Sequence, residues 1–523
     1  MMNDTPPKVV IIGAGIGGLV AAISLKRQLG FSNFTIYEQA GEVGGTWQYN
    51  TYPGAAADVE THFYCLSTDL RPDWRVTHIP QVEILAYWKS LTQKYGLYQN
   101  LVLNTKVVSA DWDEKRQQYK IQVQDVRTKE TRTDYANVVI SGHGFLNIPV
   151  YPKRVPGMEK FKGPNFHTAR WDHDVDLHNK RVAVIGNGCS GAQVIPAISK
   201  DPTVEIMNFC QSPHWIFGDL RSSYSRITRW IFSYVPFALR LYRFFIFLQL
   251  EAFYFAFIRT ASEHPLKKWV TKDLINRIKT ITPEKYHQVL IPDFVVGCKR
   301  SVFTPDYLHA LKLPNVDLNY DGIAEFVEDG IVTKKGEKMD FDVIVYATGF
   351  DTVEYPIPVR GCNGKTVQEY YDEKDGPQAY YGTALPGFPN FFVLFGPNTG
   401  TSHGTAIYTE ENQCNWIMQV IKPILKGQAS AFEPTEEATE AHNQHLQSKL
   451  VKTVWSGTCA SWYRRTPESK IHTLFPGSLT ELWWQFRKPN FNDFKVTNGE
   501  KWQRSRRFWG LTKRDAISSY LSL

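Results

Sequence analysis

Cysteine is scarce and scattered. The chain has 523 residues and seven thiols, Cys65, Cys189, Cys210, Cys298, Cys362, Cys414 and Cys459, none in a C-x-x-C pair. An odd number without close pairing argues against a disulfide framework and against a structural zinc site. It also removes the cysteine pair on which a flavin disulfide reductase would run. No cluster of metal-ligating residues is visible. No dense basic block with interleaved aromatics accompanies the net charge of +7, so an anionic small molecule is the expected partner and nucleic acid is not. No uncharged run approaches the ~18–20 residues that cross a bilayer. Pro6-Pro7-Lys8 leads straight into the apolar Val9-Val10-Ile11-Ile12, which is no signal peptide, and Leu521-Ser522-Leu523 is not a peroxisomal tripeptide. The expected location is therefore cytoplasmic and reducing.

Apolar and aromatic residues are abundant, at 43% and 14%, enough for large cores, and the length implies two or more domains. Lys8 to Ile12 reads as a parallel strand buried on both faces. It runs into Gly13-Ala14-Gly15-Ile16-Gly17-Gly18, followed by a helix over Leu19 to Leu29. Gly13 permits the tight turn, Gly15 admits a pyrophosphate to the backbone, and Gly18 lets helix and strand pack closely. Glu38 closes the next strand, Phe34-Thr35-Ile36-Tyr37, twenty residues past Gly18, where an acid binds ribose hydroxyls. The pattern recurs downstream. Arg181 to Ile185 is a strand, and Gly186-Asn187-Gly188-Cys189-Ser190-Gly191, with Ala192 and Gln193 opening the helix, is a second dinucleotide turn. Its following strand ends near Phe209-Cys210-Gln211, before Ser212, with no acid to repel a 2′-phosphate. Asp134 to Ile140 and Phe341 to Tyr346 read as further strands, the latter ending in Ala347-Thr348-Gly349-Phe350.

Three other stretches stand out. Gly44-Gly45-Thr46-Trp47 and Tyr52-Pro53-Gly54-Ala55-Ala56-Ala57-Asp58-Val59-Glu60 form a glycine- and proline-rich loop carrying Asp58. By composition alone Asp58 caps a turn and the pair Lys299-Arg300 is a solvated basic patch. Trp230 to Ile258 is rich in Phe, Tyr, Leu and Ile and is interrupted by Pro236, Arg240, Arg243 and Glu251. A buried helical insert is the preferred reading; the alternative is an amphipathic surface that touches membrane.

Phe161-x-Gly163-x-x-x-His167-x-x-x-Trp171-Asp172 precedes the second glycine turn. It resembles the fingerprint of Baeyer–Villiger monooxygenases, and Gly297-Cys298-Lys299-Arg300 resembles their G-C-K-R segment. The resemblance spans about Val9 to Pro476 and is weakest over 216–290. It implies an α/β fold of two Rossmann-like dinucleotide-binding domains, one for FAD and one for NADPH, with a helical insert. The implied order is residues 1–150, FAD domain; 151–215, NADPH domain; 216–319, insert over the active site; 320–384, NADPH domain resumed; 385–523, return to the FAD domain and tail. It further implies that Thr46, Trp47, Asp58 and Tyr64 touch FAD, with Ala56 and Ala57 in the same wrapping loop. Many relatives carry Arg at the position of Ala56 and at that of Gln211, so Lys299 is left as the main cation for the 2′-phosphate. Trp462 is implied to meet cofactor or substrate. The implied reaction uses NADPH and O₂ to insert one oxygen beside a ketone carbonyl, giving an ester or lactone, through a C4a-peroxyflavin stabilised by Arg300 and positioned by Asp58. Oxygenation of nitrogen or sulfur is the alternative.

Overall fold

The computed structural model describes residues 6–218, 221–259, 265–304, 306–457, 459, 461–466 and 468–508. Two parallel sheets organise it. In the first, strands Val9–Ile12, Phe34–Tyr37, Leu101–Val102, Val138–Ser141 and Phe391–Val393 lie in the order Phe391, Val138, Val9, Phe34, Leu101, each named by its first residue. In the second, the order is Val316–Asn319, Glu205–Phe209, Arg181–Ile185, Val343–Tyr346 and Asn165–His167. Val9, Val10 and Ile11, like Val182, Ala183 and Val184, are fully buried, as a strand covered on both faces requires.

Each central strand turns into a helix, Ile16–Leu29 in one unit and Cys189–Ile198 in the other. Gly13 and Gly186 take φ of +90° and +108°. A Cβ on Gly18 would stand 1.9 Å from the Gly13 carbonyl oxygen, and one on Gly191 would stand 2.2 Å from that of Gly186. Those two contacts fix how closely helix meets strand, so no larger residue fits.

The expected strand Asp134 to Ile140 is two strands in two sheets. Thr131–Ala136 pairs antiparallel with Gln118–Asp125, and Val138–Ser141 joins the parallel sheet. The break falls at Asn137, whose side chain accepts the Lys8 N–H at 2.9 Å. Two boundaries also shift. Val316–Asn319, expected within the insert, is the edge strand of the second sheet. Tyr355, Val359, Val367 and Tyr370, expected in the second unit, pack with Val10 and Ile12 of the first.

The insert is helical, with helices Arg226–Tyr234, Ala238–Phe253 and Pro265–Ile281. The second continues as a π-helix, Tyr254–Ile258. It is not the buried element the sequence suggested. Ala238–Ile258 forms one helix of 21 residues with mean hydropathy 1.5, long and apolar enough to cross a membrane, and only 22% of its apolar window is buried. The charges thought to interrupt it do not break it. The Arg243 guanidinium turns inward to the carbonyls of His62 and Cys65, and Glu251 accepts the Leu479 N–H.

Candidate functional site

Glu38 lies where the spacing put it. One carboxylate oxygen accepts the Ala14 N–H at 2.7 Å and the other accepts that of Ala40 at 2.8 Å. Burial raises its pKa, and these backbone donors oppose the rise. The helix after the first glycine turn starts at Gly15 with no side-chain cap, and that of the second unit starts at Gly188 in the same way. Two uncapped helix starts, each beside a glycine turn too tight for a side chain, leave backbone N–H groups for phosphate oxygens. The residues therefore fit one dinucleotide in each unit.

Around the first turn, Trp47 donates its indole N–H to the Tyr64 hydroxyl at 3.0 Å, and the rings meet edge to face. Thr46 opens the short helix Thr46–Tyr49. The loop from Tyr52 to Asp58 then reaches across to the second unit. Gln193 accepts the Tyr52 hydroxyl at 2.8 Å and donates to the Ala56 carbonyl at 3.1 Å. Its buried side chain thus pins the two units together. Ala57 is buried, with its N–H on the Ile79 carbonyl.

At the second turn, Asn187 donates to the Ser212 carbonyl at 3.1 Å, and the Ser212 hydroxyl accepts from Lys299 Nζ at 2.7 Å. Lys299 is buried and lies over the Phe294 ring at 4.7 Å. Burial lowers its pKa. Gln211 beside it is exposed. Lys299 is therefore a held cation at the turn and not a solvated one.

Arg300 follows Lys299 and points to the other unit. Its Nε and Nη2 both donate to Asp58 Oδ2, at 3.2 and 2.5 Å, and Nη1 donates to the Ser402 carbonyl. The side chains are 21% and 28% exposed, so the pair is largely but not wholly withdrawn from water. Burial works against the Arg300 charge, but Asp58, with the Cys189 thiol and the Tyr463 phenol nearby, outweighs it and raises the pKa. Burial, then Asp58, pushes Cys189 up to about 11, so it stays a thiol. Trp462 is exposed, its ring tilted against Phe145 at 5.8 Å and edge to face with Tyr463 at 4.7 Å. Among the described residues it shares no hydrogen bond or ring contact with Arg300 or Asp58.

His403 is a site residue that the motifs did not point to. It is buried next to Ser402, its ring lies 5.1 Å from that of Tyr254, and neither ring nitrogen has a hydrogen-bond partner among the described residues. Burial, reinforced by the Arg300 charge, pushes its pKa down to about 3, so it is a neutral imidazole. Gly404 follows it in a loop with no distinctive spacing, which is why sequence alone passed over it.

The Phe161–Asp172 fingerprint is a junction. His167, in the edge strand Asn165–His167, accepts the Ala169 N–H at Nδ1 at 3.1 Å, and burial pushes it down to about 4. Arg170 lies over the Tyr49 ring of the first unit at 4.3 Å, and Trp171 meets Phe166 edge to face. A Cβ on Gly163 would come 2.6 Å from the Asp342 carbonyl. Phe391–Val393 and the helix Ala406–Leu425 return the chain to the first unit, where Gln413 accepts the Phe395 N–H at 2.8 Å.

The cysteine reading is corrected at one place. Cys298 and Cys459 form a disulfide with Cα atoms 6.3 Å apart and a sequence separation of 161. Spacing along the chain does not reveal a pair that only folding brings together.

Fold and site together define a protein of two dinucleotide-binding units that meet at an arginine–carboxylate pair. The model of the flavin-binding monooxygenase-like family matches residues 6–456. A Baeyer–Villiger monooxygenase of Pseudomonas aeruginosa is 36% identical over 486 residues, 92% of this chain and 89% of that protein. One of Streptomyces coelicolor is 33% identical over 500 residues, 94% and 92% of the two chains. Among solved structures, NADP⁺-bound cyclohexanone monooxygenase from Rhodococcus sp. Phi1 is 26% identical, with a TM-score of 0.80 over 94% of this chain and all of that one. An oxidised steroid monooxygenase bound to NADP gives 26% and 0.80 over 95% of this chain. The chain belongs to the flavin-binding monooxygenase-like family and, within it, to the Baeyer–Villiger monooxygenases.

Proposed function

We propose that the protein is an NADPH-dependent, FAD-containing monooxygenase that inserts one oxygen atom of O₂ beside a ketone carbonyl. The observation that carries this is Arg300, a fixed cation held by Asp58 of the FAD unit and adjoining Lys299 of the NADPH unit. FAD, bound at the Gly13–Gly18 turn, supplies the redox and oxygen chemistry, by way of a C4a-peroxyflavin in this reading.

Negative charge grows first on the transferred oxygen and then on the former carbonyl oxygen. Arg300 offsets both, because a guanidinium stays charged at any working pH and has a donor fork to spare. Asp58 fixes where that fork stands. His403, neutral beside them, adds no competing positive charge. Lys299 and Ser212 receive the 2′-phosphate, with Asn187 holding the turn. A cation at the reacting oxygens supports attack on a carbonyl, which needs the deprotonated oxygen nucleophile, over attack on nitrogen or sulfur.

The test is Arg300→Ala, read as ester formed per NADPH consumed. The variant keeps its FAD absorbance and oxidises NADPH slowly, releasing hydrogen peroxide, while ester formation falls about 10²–10³-fold, the loss of ~2.7–4 kcal/mol of oxyanion stabilisation. Wild-type ester yield from the variant removes Arg300 from the reaction.

A further inference from the structure

Two of the insert helices, Arg226–Tyr234 and Ala238–Phe253, turn an apolar stripe outward. On Arg226–Tyr234 the exposed apolar residues are Ile227, Trp230, Ile231 and Tyr234. On Ala238–Phe253 they are Leu241, Phe244, Phe245 and Leu248. Both sets fall at i, i+3, i+4 and i+7, which is one continuous stripe on a helix. Between them Phe237 stands at the turn in a left-handed conformation and is 80% exposed. A folded chain does not normally leave two such stripes to water.

The other side of the long helix is packed and fastened, with Leu239 and Ile246 buried and Ile246 set against Phe63 and Leu479. The Tyr242 hydroxyl donates to Glu60, Arg243 to the His62 carbonyl, and the Tyr254 hydroxyl to the Pro476 carbonyl at 3.1 Å. Glu251 accepts the Leu479 N–H and the Thr480 hydroxyl. These contacts are spread along the helix, so it lies along the body of the protein and is not free to cross a bilayer end to end.

Charge selects the occupant. In the sequence, residues 221–281 hold eleven Lys and Arg against three Asp and Glu, a net of +8, while the whole chain is +7. The remainder of the protein is therefore close to neutral, and Arg226 and Arg240 stand exposed on the striped helices themselves. Two copies meeting through this face would set like charges against each other. An anionic lipid surface offers hydrocarbon for the stripes and phosphate for the basic residues, whose long stems reach headgroup level from a shallow helix.

We propose that helices Arg226–Tyr234 and Ala238–Phe253 dock the protein flat on an anionic phospholipid bilayer, with Trp230, Phe237, Phe244 and Phe245 in the acyl boundary. The experiment is flotation of the full-length, FAD-loaded protein with phosphatidylcholine–phosphatidylglycerol vesicles and with phosphatidylcholine vesicles. The protein floats with the anionic vesicles, floats much less with neutral ones, and is released by alkaline carbonate. The combined variant Trp230→Glu, Phe237→Glu, Phe245→Glu keeps its flavin absorbance and loses at least about a hundredfold in vesicle partitioning. The wild type alone gives a second readout, quenching of tryptophan fluorescence by brominated phosphatidylglycerol. Absence of both flotation and quenching overturns the proposal. So does retention after carbonate, which means a spanning helix, or a wild-type dimer that ignores vesicles and that the variant splits, which means a second copy on the face. None of these outcomes depends on whether the enzyme acts on ketones.

Discussion

The Arg300–Asp58 contact permits a quantitative test of positioning. Asp58→Asn keeps the shape of the side chain and removes its charge; Arg300→Lys keeps the charge and removes the fork. In the structure one carboxylate oxygen takes both Nε and Nη2, at 3.2 and 2.5 Å. Two unit charges at ~3 Å in an effective dielectric of ~20 attract by about 5 kcal/mol. The side chains are 21% and 28% exposed, so water screens part of this, and desolvation on burial offsets more. A net coupling of about 2 kcal/mol remains, a factor of roughly 30. Each single variant therefore lowers kcat/KM for ester formation by at least about 30-fold. The double variant falls short of the product of the two losses by the same factor, because the contact is lost only once. The assay is the four-protein cycle on ester formation, with NADPH consumption followed in parallel. Ester per NADPH drops in every variant, since a misplaced guanidinium lets the electrons escape as hydrogen peroxide. Losses that add to within about 0.5 kcal/mol refute the coupling and leave Arg300 acting independently of Asp58.

Lys299→Ala raises the KM for NADPH by roughly 10–100-fold, the loss of a charged hydrogen bond, and hardly changes that for NADH; equal effects sink its assignment to the 2′-phosphate. Gly191→Ala drives a Cβ to 2.2 Å from the Gly186 carbonyl, so NADPH no longer reduces the bound flavin although flavin absorbance persists, and an unchanged reduction rate contradicts the tight-turn argument. Stability falls steeply in acid. Burial pushes His62, His167 and His472 down to about 4 and His403 to about 3, so the unfolded chain takes up protons that the folded one refuses. That stabilisation is present above the ordinary histidine pKa of ~6.5 and is lost as pH falls towards 4, by about 1.4 kcal/mol per histidine one unit below 6.5. Urea unfolding at pH 7.5 and pH 5.5 measures it, and equal midpoints exclude buried neutral histidines as the cause.

The sequence by itself determined the two nucleotide units. Strand, turn and helix are contiguous, and the steric demand at Gly13, Gly18, Gly186 and Gly191 is local, so each turn is legible from some thirty residues. Glu38 was legible for the same reason, one strand length past its turn. Lys299 and Arg300 were found only through resemblance, since a basic pair has no meaning until Ser212 and Asp58 are brought to it from 87 and 242 residues away. Tertiary structure alone decided four things. It made Gln193 a pin between the units. It brought Ser402 and His403 to Arg300, and joined Cys298 to Cys459. It also set the orientation of the aromatic insert. Composition shows that a helix has an apolar stripe, but the direction of that stripe depends on what the opposite face binds. Here hydrogen bonds to Glu60 and to the backbone carbonyls of His62, Cys65 and Pro476, with Ile246 packed on Phe63 and Leu479, fasten one face and leave the other outward.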